Sequence, residues 1–371
     1  MLIGVPKEIK NHEYRVGLTP SSVRELVGSG HQVIVESGAG DGIGAGDDDY
    51  RRAGAGVVDS ADEVFATAAM IVKVKEPQAV ERARLRPDQL LFTYLHLAPD
   101  PAQCDDLIRS GAICIAYETV TGASGLPLLA PMSEVAGRMA IQAAAHSLER
   151  AHGGRGMLLG GVPGVASAKV VVLGAGVVGT NAAMLAVGSG AQVIVIDRSI
   201  DALRRIEGLL GARVITVFSN RDNIEEHVLS ADVVIGSVLI PGASAPKLVT
   251  KEMVERMRTG AVVVDVAIDQ GGCFETSKPT THEEPTYLVD GVVHYCVANM
   301  PGGVPRTSTH ALNNATLPFV AALADKGWQQ ALRDDPHLRN GLNVAAGKVT
   351  HREVADALGH QWHDPETLIG Q

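Results

Sequence analysis

Five polar residues stand directly after short apolar runs of the sequence. Lys75 follows MIVKV, His96 follows LLFTYL and Glu118 follows ICIAY. Asp269 follows VVVDVAI, and Asn299 follows HYCVA. Apolar runs of this kind are typical of parallel strands, and ligands of parallel sheets bind beyond the carboxyl ends of the strands. A single His or Lys there is usually a solvated loop residue, but several together indicate a ligand-binding site, although their placement alone does not name the substrate.

The runs that could form these strands alternate with longer helix-like stretches along the whole chain. This alternation predicts an α/β fold with doubly wound parallel sheets. With 371 residues, the chain is long enough for two such domains. The predicted strands are Leu2–Val5, Gln32–Glu36, Met70–Val74, Leu90–Tyr94, Ala112–Ala116, Lys169–Leu173, Gln192–Asp197, Asp232–Ser237, Ala261–Val266 and Val292–Val297.

Three helices carry clear markers in the sequence. The pair Thr19-Pro20 predicts a capped entry into a helix over Ser21–Ser29. A long helix is expected from Pro131 to Arg150, with Ser133 as its cap. A last helix from Ser308 to Leu332 ends the regular pattern and is expected to pack on the first domain.

The hexapeptide GAGVVG, from Gly174 to Gly179, lies between the predicted strand KVVVL and a helix. In that position G-x-G-x-x-G is typical of Rossmann dinucleotide-binding domains. The first glycine permits a tight turn, Gly176 lets the backbone approach a pyrophosphate, and the last allows close packing. Asp197 ends the next strand and favours NAD, because a carboxylate binds the ribose hydroxyls and repels a 2′-phosphate. The neighbouring Arg198 keeps NADP open as an alternative.

These patterns predict two doubly wound Rossmann-like domains with the active site in the cleft between them. We expect residues 1–128 and 306–371 to form a discontinuous substrate-binding and catalytic domain. Residues 129–305 are expected to form the NAD-binding domain.

The composition excludes several partners. Lys and Arg total 32 against 42 for Asp and Glu, a formal net charge of -10, which disfavours nucleic acid and anionic membrane surfaces. No apolar run reaches the roughly 18 residues of a membrane helix, and no signal-peptide pattern precedes the first strand. The cysteines lack C-x-x-C spacing, so we expect buried free thiols and a cytoplasmic protein; they are Cys104, Cys114, Cys273 and Cys296.

Segments along nearly the whole chain resemble those of the alanine dehydrogenase family. The most specific are the stretches containing MSEVAGR, DVAIDQGGCFE and VANMPGGVPRTST. The matching segments are Gly4–Glu8, Asn11–Pro20, Lys73–Pro77, Phe92–Ala98, Ala116–Val120, Pro127–Arg138, Gly160–Val165, Val172–Gly179, Asp265–Glu275 and Val297–Thr309.

The resemblance implies NAD-dependent oxidation of L-alanine to pyruvate and ammonium, the reverse reaction, and a homohexamer. It implies that Arg15 and Lys75 bind the substrate, that His96 is the general acid/base, and that Asp269 is the second catalytic residue. Tyr94 and Met132 would wall the substrate, although core packing explains them equally well. The implied cofactor-binding residues are Ser133, Gly174, Gly176, Val177, Val178, Gly179, Asp197, Ser219, Val238, Leu239, Ala267, Ile268, Asp269, Val297, Ala298, Asn299 and Met300.

The chain departs from the family pattern in two respects. Ala202 stands where some relatives place a basic residue shortly after the ribose-binding Asp, so one adenosine-side contact is missing. Ala322 and Lys326 stand where some relatives offer a Glu and a His to magnesium, so we expect no metal there.

Three other functions share parts of this pattern. One is the NAD-binding subunit of a proton-translocating transhydrogenase, and another is an NAD-sensing protein without turnover. A saccharopine- or lysine-type dehydrogenase would need a larger and more acidic pocket. The combination of Arg15, Lys75, His96 and Asp269 favours the alanine dehydrogenase reaction.

Overall fold

The computed structural model describes residues 1–123, 125–238 and 245–370. These residues form fifteen strands and fifteen α-helices, besides short 3-10 turns. The strands are β1 (Leu2–Val5), β2 (Gln32–Glu36), β3 (Gly56–Val58), β4 (Met70–Val72), β5 (Leu90–Thr93), β6 (Ile113–Ala116), β7 (Lys169–Leu173), β8 (Gln192–Asp197), β9 (Val214–Phe218), β10 (Val233–Gly236), β11 (Val262–Asp265), β12 (Thr286–Val289), β13 (Val292–Tyr295), β14 (Leu342–Ala345) and β15 (Lys348–Val349).

The helices occupy most of the chain between these strands. They are α1 (Pro20–Gly28), α2 (Asp47–Ala53), α3 (Ala61–Thr67), α4 (Ala79–Arg82), α5 (Pro101–Ser110), α6 (Ala130–Ser147), α7 (Val177–Gly188), α8 (Ile200–Leu210), α9 (Arg221–Ser230), α10 (Lys251–Arg256), α11 (Pro305–Lys326), α12 (Trp328–Asp334), α13 (Pro336–Arg339), α14 (Arg352–Leu358) and α15 (Pro365–Ile369).

The chain forms two compact units, and the first combines Met1–Met132 with Gly302–Gln371. Its sheet has the order β15-β14-β6-β5-β4-β1-β2-β3. The six strands β1 to β6 are all parallel. In contrast, β14 pairs antiparallel with β6, and β15 pairs antiparallel with β14. Because the parallel strands point the same way, the loops after them lie at one edge of this sheet.

The second unit is Ser133–Pro301. Its sheet has the order β12-β13-β11-β10-β7-β8-β9, with only the edge pair β12 and β13 antiparallel among the described strands. Counted within the unit, the parallel strands follow the order 3-2-1-4-5-6 that is usual for dinucleotide-binding folds. The six parallel strands of the first unit, β1 to β6, follow the same order.

Both sheets are buried through their central strands. All four residues of β5, β10 and β11 are buried, which explains why the sequences of these strands are largely apolar. In the second unit, helices α6, α7 and α8 cover one face of the sheet, with Ala144, Ala182 and Ile206 in its core. Burying an aliphatic side chain stabilises the fold by about 1.5–3 kcal/mol. The small alanines allow these helices to approach the strands closely.

The α/β fold class with two mostly parallel sheets is confirmed, and the ten predicted strands all form. Four of them, β1, β2, β7 and β8, have the predicted bounds, and the others are one or two residues shorter at one or both ends. The capped entry into α1 is also confirmed, since the Ser22 N–H donates to the Thr19 hydroxyl. The four cysteines are buried and free.

Three expectations from the sequence are wrong. Ser133 does not cap α6, because the helix begins at Ala130 and accommodates Pro131 in its first turn, where proline is tolerated. The late helix is divided at Gly327, whose φ of 73° ends α11 before α12 begins. The regular pattern also continues beyond it, because β14 and β15 extend the first sheet.

No helix of the described residues is long and apolar enough to cross a membrane.

Candidate functional site

Four polar residues of the first unit lie in loops after adjacent parallel strands. Arg15 follows β1, Lys75 follows β4, His96 follows β5 and Glu118 follows β6. Since these strands are neighbours in the sheet, their loops form one polar edge. The sheet therefore brings together three of the predicted site residues, Arg15, Lys75 and His96, with Glu118 beside them.

His96 is held by the carboxylate of Glu118. The backbone N–H of His96 donates to Oε1 of Glu118 at 2.6 Å, and the N–H of Leu95 donates to both carboxylate oxygens at 3.2 Å. The same carboxylate lies 3.9 Å from Nδ1 of His96. His96 has a φ of 49°, a left-handed conformation that is unusual for a residue with a Cβ. Its imidazole is 43% exposed and therefore accessible to a ligand.

The ring of Tyr94 stacks against this imidazole. The two rings are stacked at 5.7 Å between centroids, with their planes only 6° apart. The Tyr94 hydroxyl donates to the carbonyl oxygen of Leu128 at 2.5 Å, and the side chain is buried. Burial raises the pKa of this phenol. The positive charge of Arg15 lowers this pKa, and the negative charge of Glu118 raises it. Tyr94 therefore stays neutral.

The Arg15 guanidinium is buried and paired with Glu13. Nε donates to Oε1 of Glu13 at 2.7 Å, and Nη2 donates to Oε2 at 2.5 Å. Nη1 contacts the sulfur of Met132 at 3.0 Å. Burial alone would lower the pKa of Arg15, but the hydrogen bonds and charge of Glu13 outweigh it and raise the pKa. The guanidinium is therefore a fixed cation held along one of its edges.

The backbone at Lys75 is fixed by a second buried carboxylate. Oε1 of Glu8 accepts the N–H of Val74 at 2.7 Å and that of Lys75 at 3.4 Å, while the Thr93 hydroxyl donates to the Lys75 carbonyl. The other oxygen of Glu8 accepts from the ammonium group of Lys73, which is fully buried. Lys73 also donates to Oε1 of Glu81 at 2.7 Å, so one buried ammonium group is shared by two buried carboxylates, and its role is structural.

In the second unit, the glycines of the motif after β7 differ in their surroundings. Gly174 has a φ of 104°, as the tight turn requires. A Cβ on Gly179 would lie 1.8 Å from the Gly174 carbonyl oxygen, so the helix approaches the turn as only glycine allows. A Cβ on Gly176 would meet nothing within 4 Å, so this backbone faces open space at the first turn of α7. That cradle fits the pyrophosphate of a dinucleotide.

Asp197 joins the end of β8 to this glycine loop. Oδ2 accepts the N–H of Ala175 at 2.6 Å, and Oδ1 accepts that of Ser199 at 2.7 Å. The Ser219 N–H donates to the Asp197 backbone carbonyl at 2.9 Å. The acidic residue and Ser219 therefore lie beside the glycine loop, at the carboxyl ends of neighbouring strands.

The loop carrying Asp269 is organised by Asp265, the last residue of β11. This carboxylate accepts the N–H of Cys273 at 2.8 Å, the Ser277 hydroxyl at 2.5 Å and the N–H of Ala267 at 3.2 Å. Burial raises the pKa of Asp265, although these hydrogen bonds oppose the effect. Asp269 itself is exposed.

The remaining predicted cofactor residues lie in the same unit. Ser133, Val177 and Val178 lie on helices. The other residues of this set that the structure describes lie in loops after the carboxyl ends of strands. Asn299 has a φ of 58°, and its carbonyl oxygen contacts Nε2 of His282 at 3.1 Å. Leu239 lies outside the described residues. The others are Ser133 within α6, Val177 and Val178 at the start of α7, Val238 after β10, Ala267 and Ile268 after β11, and Val297, Ala298 and Met300 after β13.

The sequence patterns assign no role to Glu8, Glu13 or Asp265. Each is a buried acidic residue that holds the backbone or side chain of a predicted site residue. The only sequence signal is their position inside segments that also carry site residues, such as GVPKE and NHEYR. Charged residues are rarely buried without a partner, but the partner depends on loop conformation.

Two sheets of Rossmann order, a glycine loop and an acidic residue after the next strand define a two-unit α/β protein of the dinucleotide-binding class. Two family models match the chain: the alanine dehydrogenase/PNT N-terminal domain over residues 4–136 and the C-terminal domain over residues 140–352. The chain therefore belongs to the alanine dehydrogenase/PNT family.

Full-length relatives carry a more particular name. The chain is 62% identical to the alanine dehydrogenase of Halomonas elongata over 371 residues, which is 100% of both chains. It is 52% identical to the alanine dehydrogenase of Mycobacterium tuberculosis over 370 residues, again covering 100% of each. A solved structure of L-alanine dehydrogenase superposes with a TM-score of 0.94 at 55% identity, covering 97% of this chain and 99% of the other.

A solved transhydrogenase from Sinorhizobium meliloti is also similar, with a TM-score of 0.83 at 27% identity. The match covers 94% of this chain and 100% of that one. The architecture is thus shared with the transhydrogenase, while the sequence is much closer to the alanine dehydrogenases.

Proposed function

We propose that this protein is an NAD-dependent L-alanine dehydrogenase. It converts L-alanine, NAD⁺ and water to pyruvate, ammonium, NADH and a proton, and it catalyses the reverse reductive amination. The observation that carries the proposal is the placement of Arg15, Lys75 and His96 after adjacent parallel strands, in a chain 62% identical to an alanine dehydrogenase over its full length.

Arg15 and Lys75 bind the substrate in this proposal. Alanine and pyruvate each carry one carboxylate, which a planar guanidinium can bind through two parallel hydrogen bonds. Glu13 engages the edge of Arg15 formed by Nε and Nη2. Lys75 adds a compact positive charge for the carboxylate or the carbonyl oxygen.

His96 and Asp269 move the protons. His96 accepts a proton as water attacks the oxidised substrate carbon, and it returns a proton to the departing ammonia. An imidazole is suited to both steps because one ring nitrogen can accept a proton and the ring can then release one. Asp269 orients or deprotonates the attacking water. Tyr94 and Met132 wall the substrate beside these groups.

The dinucleotide, when bound, accepts the hydride from the α-carbon of alanine. Gly174, Gly176 and Gly179 hold its pyrophosphate at the first turn of α7, where backbone N–H groups and the helix dipole favour an anion. Asp197 accepts the ribose hydroxyls and disfavours a 2′-phosphate, which supports NAD over NADP. Ala202 offers no adenosine-side cation, so affinity depends more heavily on these contacts. The other proposed contacts are Ser133, Val177, Val178, Ser219, Val238, Leu239, Ala267, Ile268, Asp269, Val297, Ala298, Asn299 and Met300.

The two units divide this work in the proposal. Unit Met1–Met132 with Gly302–Gln371 binds the amino acid, and unit Ser133–Pro301 binds the dinucleotide. We also propose a homohexamer, from the family resemblance, and a cytoplasmic location, for which the four buried free cysteines are the support.

The test is NADH formation, followed by absorbance, from purified protein with NAD and L-alanine at alkaline pH. We expect rapid turnover, little turnover with NADP, and a loss of about 10²–10⁴-fold in His96→Ala. NAD binding measured by calorimetry should persist in that variant. NAD binding without any turnover on alanine would reject the dehydrogenase function and favour the transhydrogenase-like or NAD-sensing alternatives.

A further inference from the structure

A cluster of two imidazoles and a carboxylate lies at the end of α6, away from the glycine loop. Nδ1 of His146 is 3.6 Å from one oxygen of Glu149, and Nε2 of His152 is 3.6 Å from the other. The two imidazole centroids are 3.8 Å apart. Among the described residues, this is the one group of three such side chains whose ligand atoms all lie within 4.8 Å of one another.

The backbone that carries these side chains is fixed. Leu148, between them, is buried in the core of the second unit. The chain then turns back on itself: the N–H of Gly154 donates to the Glu149 carbonyl, and that of Gly156 donates to the Leu148 carbonyl. A Cβ on Gly154 would lie 2.2 Å from the Ser147 carbonyl oxygen, so the turn is as tight as glycine permits. His152 is thereby placed back against His146.

We propose that His146, Glu149 and His152 form a binding site for a borderline divalent transition-metal ion such as Zn²⁺. Two imidazoles and one carboxylate are the protein ligands of many zinc sites. At metal–ligand distances of about 2.1 Å, neighbouring ligand atoms of a tetrahedral ion lie about 3.4 Å apart. The two separations of 3.6 Å run to different oxygens of Glu149 and are longer than a good hydrogen bond, and one ligand atom from each of the three side chains lies within 4.8 Å of the other two. Water would complete the coordination.

The position of the cluster favours binding of a cation. It also places the cluster away from the proposed site of hydride transfer. His146 lies in the last turn of α6, where the helix dipole favours positive charge. Gly137, near the start of the same helix, packs against Val178 of the glycine-loop helix. Nine residues of helix place His146 about 13 Å further along the axis. The ion would therefore join the end of α6 to the 3-10 turn Arg150–His152 that follows it, and stabilise the second unit without taking part in hydride transfer.

The exposure of the ligands sets the expected selectivity. Their side chains are 63%, 59% and 42% exposed for His146, Glu149 and His152, so an ion can enter directly from solvent. Imidazole suits Zn²⁺, Ni²⁺ and Cu²⁺, whereas Mg²⁺ prefers oxygen ligands and retains its water. Zn²⁺ should therefore bind where Mg²⁺ does not.

The experiment is calorimetric titration of tag-free, chelator-treated protein with ZnCl₂, repeated with MgCl₂. We expect one Zn²⁺ per chain at this site, and a Kd weakened more than about tenfold in His146→Ala, His152→Ala and Glu149→Gln. Zn²⁺ should also raise the melting temperature of the wild type by at least about 2 °C, and should not do so in the variants.

The matched control is His360→Ala. His360 is also a partly exposed histidine beside a carboxylate, with Nε2 3.4 Å from Asp105, but it belongs to no group of three among the described residues. This variant should retain the wild-type Zn²⁺ isotherm. Absence of Zn²⁺ binding, or isotherms in the cluster variants that match the wild type, would overturn the proposal. Circular dichroism verifies that each variant is folded.

Discussion

The carboxylate of Glu118 accepts the backbone N–H of His96 at 2.6 Å and lies 3.9 Å from Nδ1 of the same residue. His96 occupies a left-handed conformation, with φ of 49°, which costs about 1–3 kcal/mol for a residue with a Cβ. The surrounding structure must hold such a conformation. Glu118 does this from the neighbouring strand, because β5 and β6 are paired in parallel.

Glu118 is therefore expected to act as a positioning residue for His96. In Glu118→Ala the His96 loop relaxes, and kcat for alanine oxidation should fall by about 10²-fold, the usual cost of displacing a catalytic group by about 1 Å. The KM for NAD should stay within about twofold, because the proposed dinucleotide contacts are on other loops. Steady-state kinetics at saturating alanine measure both constants.

The matched variant is Glu118→Gln, which keeps an oxygen that can accept the His96 N–H. It should retain at least about ten times the kcat of Glu118→Ala. Equal losses in the two variants would show that the negative charge matters more than the position. Wild-type activity in Glu118→Ala would contradict the prediction altogether.

Replacement of Gly176 is expected to weaken dinucleotide binding without affecting folding. A methyl group there would meet nothing of the protein within 4 Å, and its φ of -74° suits alanine. Gly176→Ala should therefore melt within about 2 °C of the wild type, while its Kd for NAD rises more than about tenfold because the methyl group occupies the pyrophosphate cradle. Thermal melts without ligand and calorimetry with NAD measure the two effects.

The control is Gly188→Ala, at the other end of the same helix, where a methyl group also meets nothing. This change should leave NAD affinity unchanged. If Gly176→Ala binds NAD as tightly as Gly188→Ala does, the pyrophosphate does not lie at this turn.

Ten of the fifteen strands were predicted from the sequence, because burial on both faces leaves a largely apolar run. Runs such as VVVL of β7 and VVIG of β10 are fully buried. The strand β14 was not predicted, since the polar Asn343 interrupts its apolar run. That side chain is buried and donates to the Thr119 hydroxyl at 2.7 Å. Such a pairing joins residues more than 200 positions apart, so local pattern does not reveal it.

The position of polar residues directly after predicted strands identifies His96 and Lys75, but it does not identify the groups that orient them. Glu13 and Arg15 are only two residues apart, yet their paired hydrogen bonds depend on how the loop after β1 turns. Asp265 resembles any acidic residue at the end of a strand until its three N–H donors and one hydroxyl donor are seen. The sequence therefore predicts the groups that face a ligand better than those that support them.

The Glu13 pairing predicts that Arg15 is not replaceable by lysine. A lysine ammonium group cannot bind both Glu13 oxygens and a substrate carboxylate in one plane. In Arg15→Lys the KM for pyruvate should rise more than about tenfold in the reductive amination assay, while the KM for NADH stays unchanged. Arg138→Lys is the control, because Arg138 lies in α6 and its Nε donates to Asn181 at 3.0 Å. An unchanged KM for pyruvate in Arg15→Lys would exclude Arg15 from carboxylate binding.

His294 is a buried imidazole outside the proposed chemistry. Nδ1 lies 3.0 Å from the Val292 carbonyl oxygen and Nε2 lies 2.7 Å from the Thr276 hydroxyl, so a neutral ring satisfies both contacts. Burial lowers the pKa of His294, with Lys278 acting in the same direction and Asp290 opposing it. The folded protein therefore binds a proton at this ring less readily than the unfolded chain does.

A lowered pKa in the folded state makes stability depend on pH in one direction. Above the ordinary value of about 6.5 both states are neutral at this ring. As the pH falls below it, the unfolded imidazole protonates first, so the free energy of unfolding decreases by up to about 1.4 kcal/mol per pH unit. In His294→Gln this contribution disappears, and the fall in melting temperature between pH 7.5 and 5.5, measured by scanning calorimetry, should be smaller than in the wild type. The same change at the partly exposed His360 should leave the wild-type pH dependence intact. An equal fall in wild type and His294→Gln would show that other groups determine the acid sensitivity of this unit.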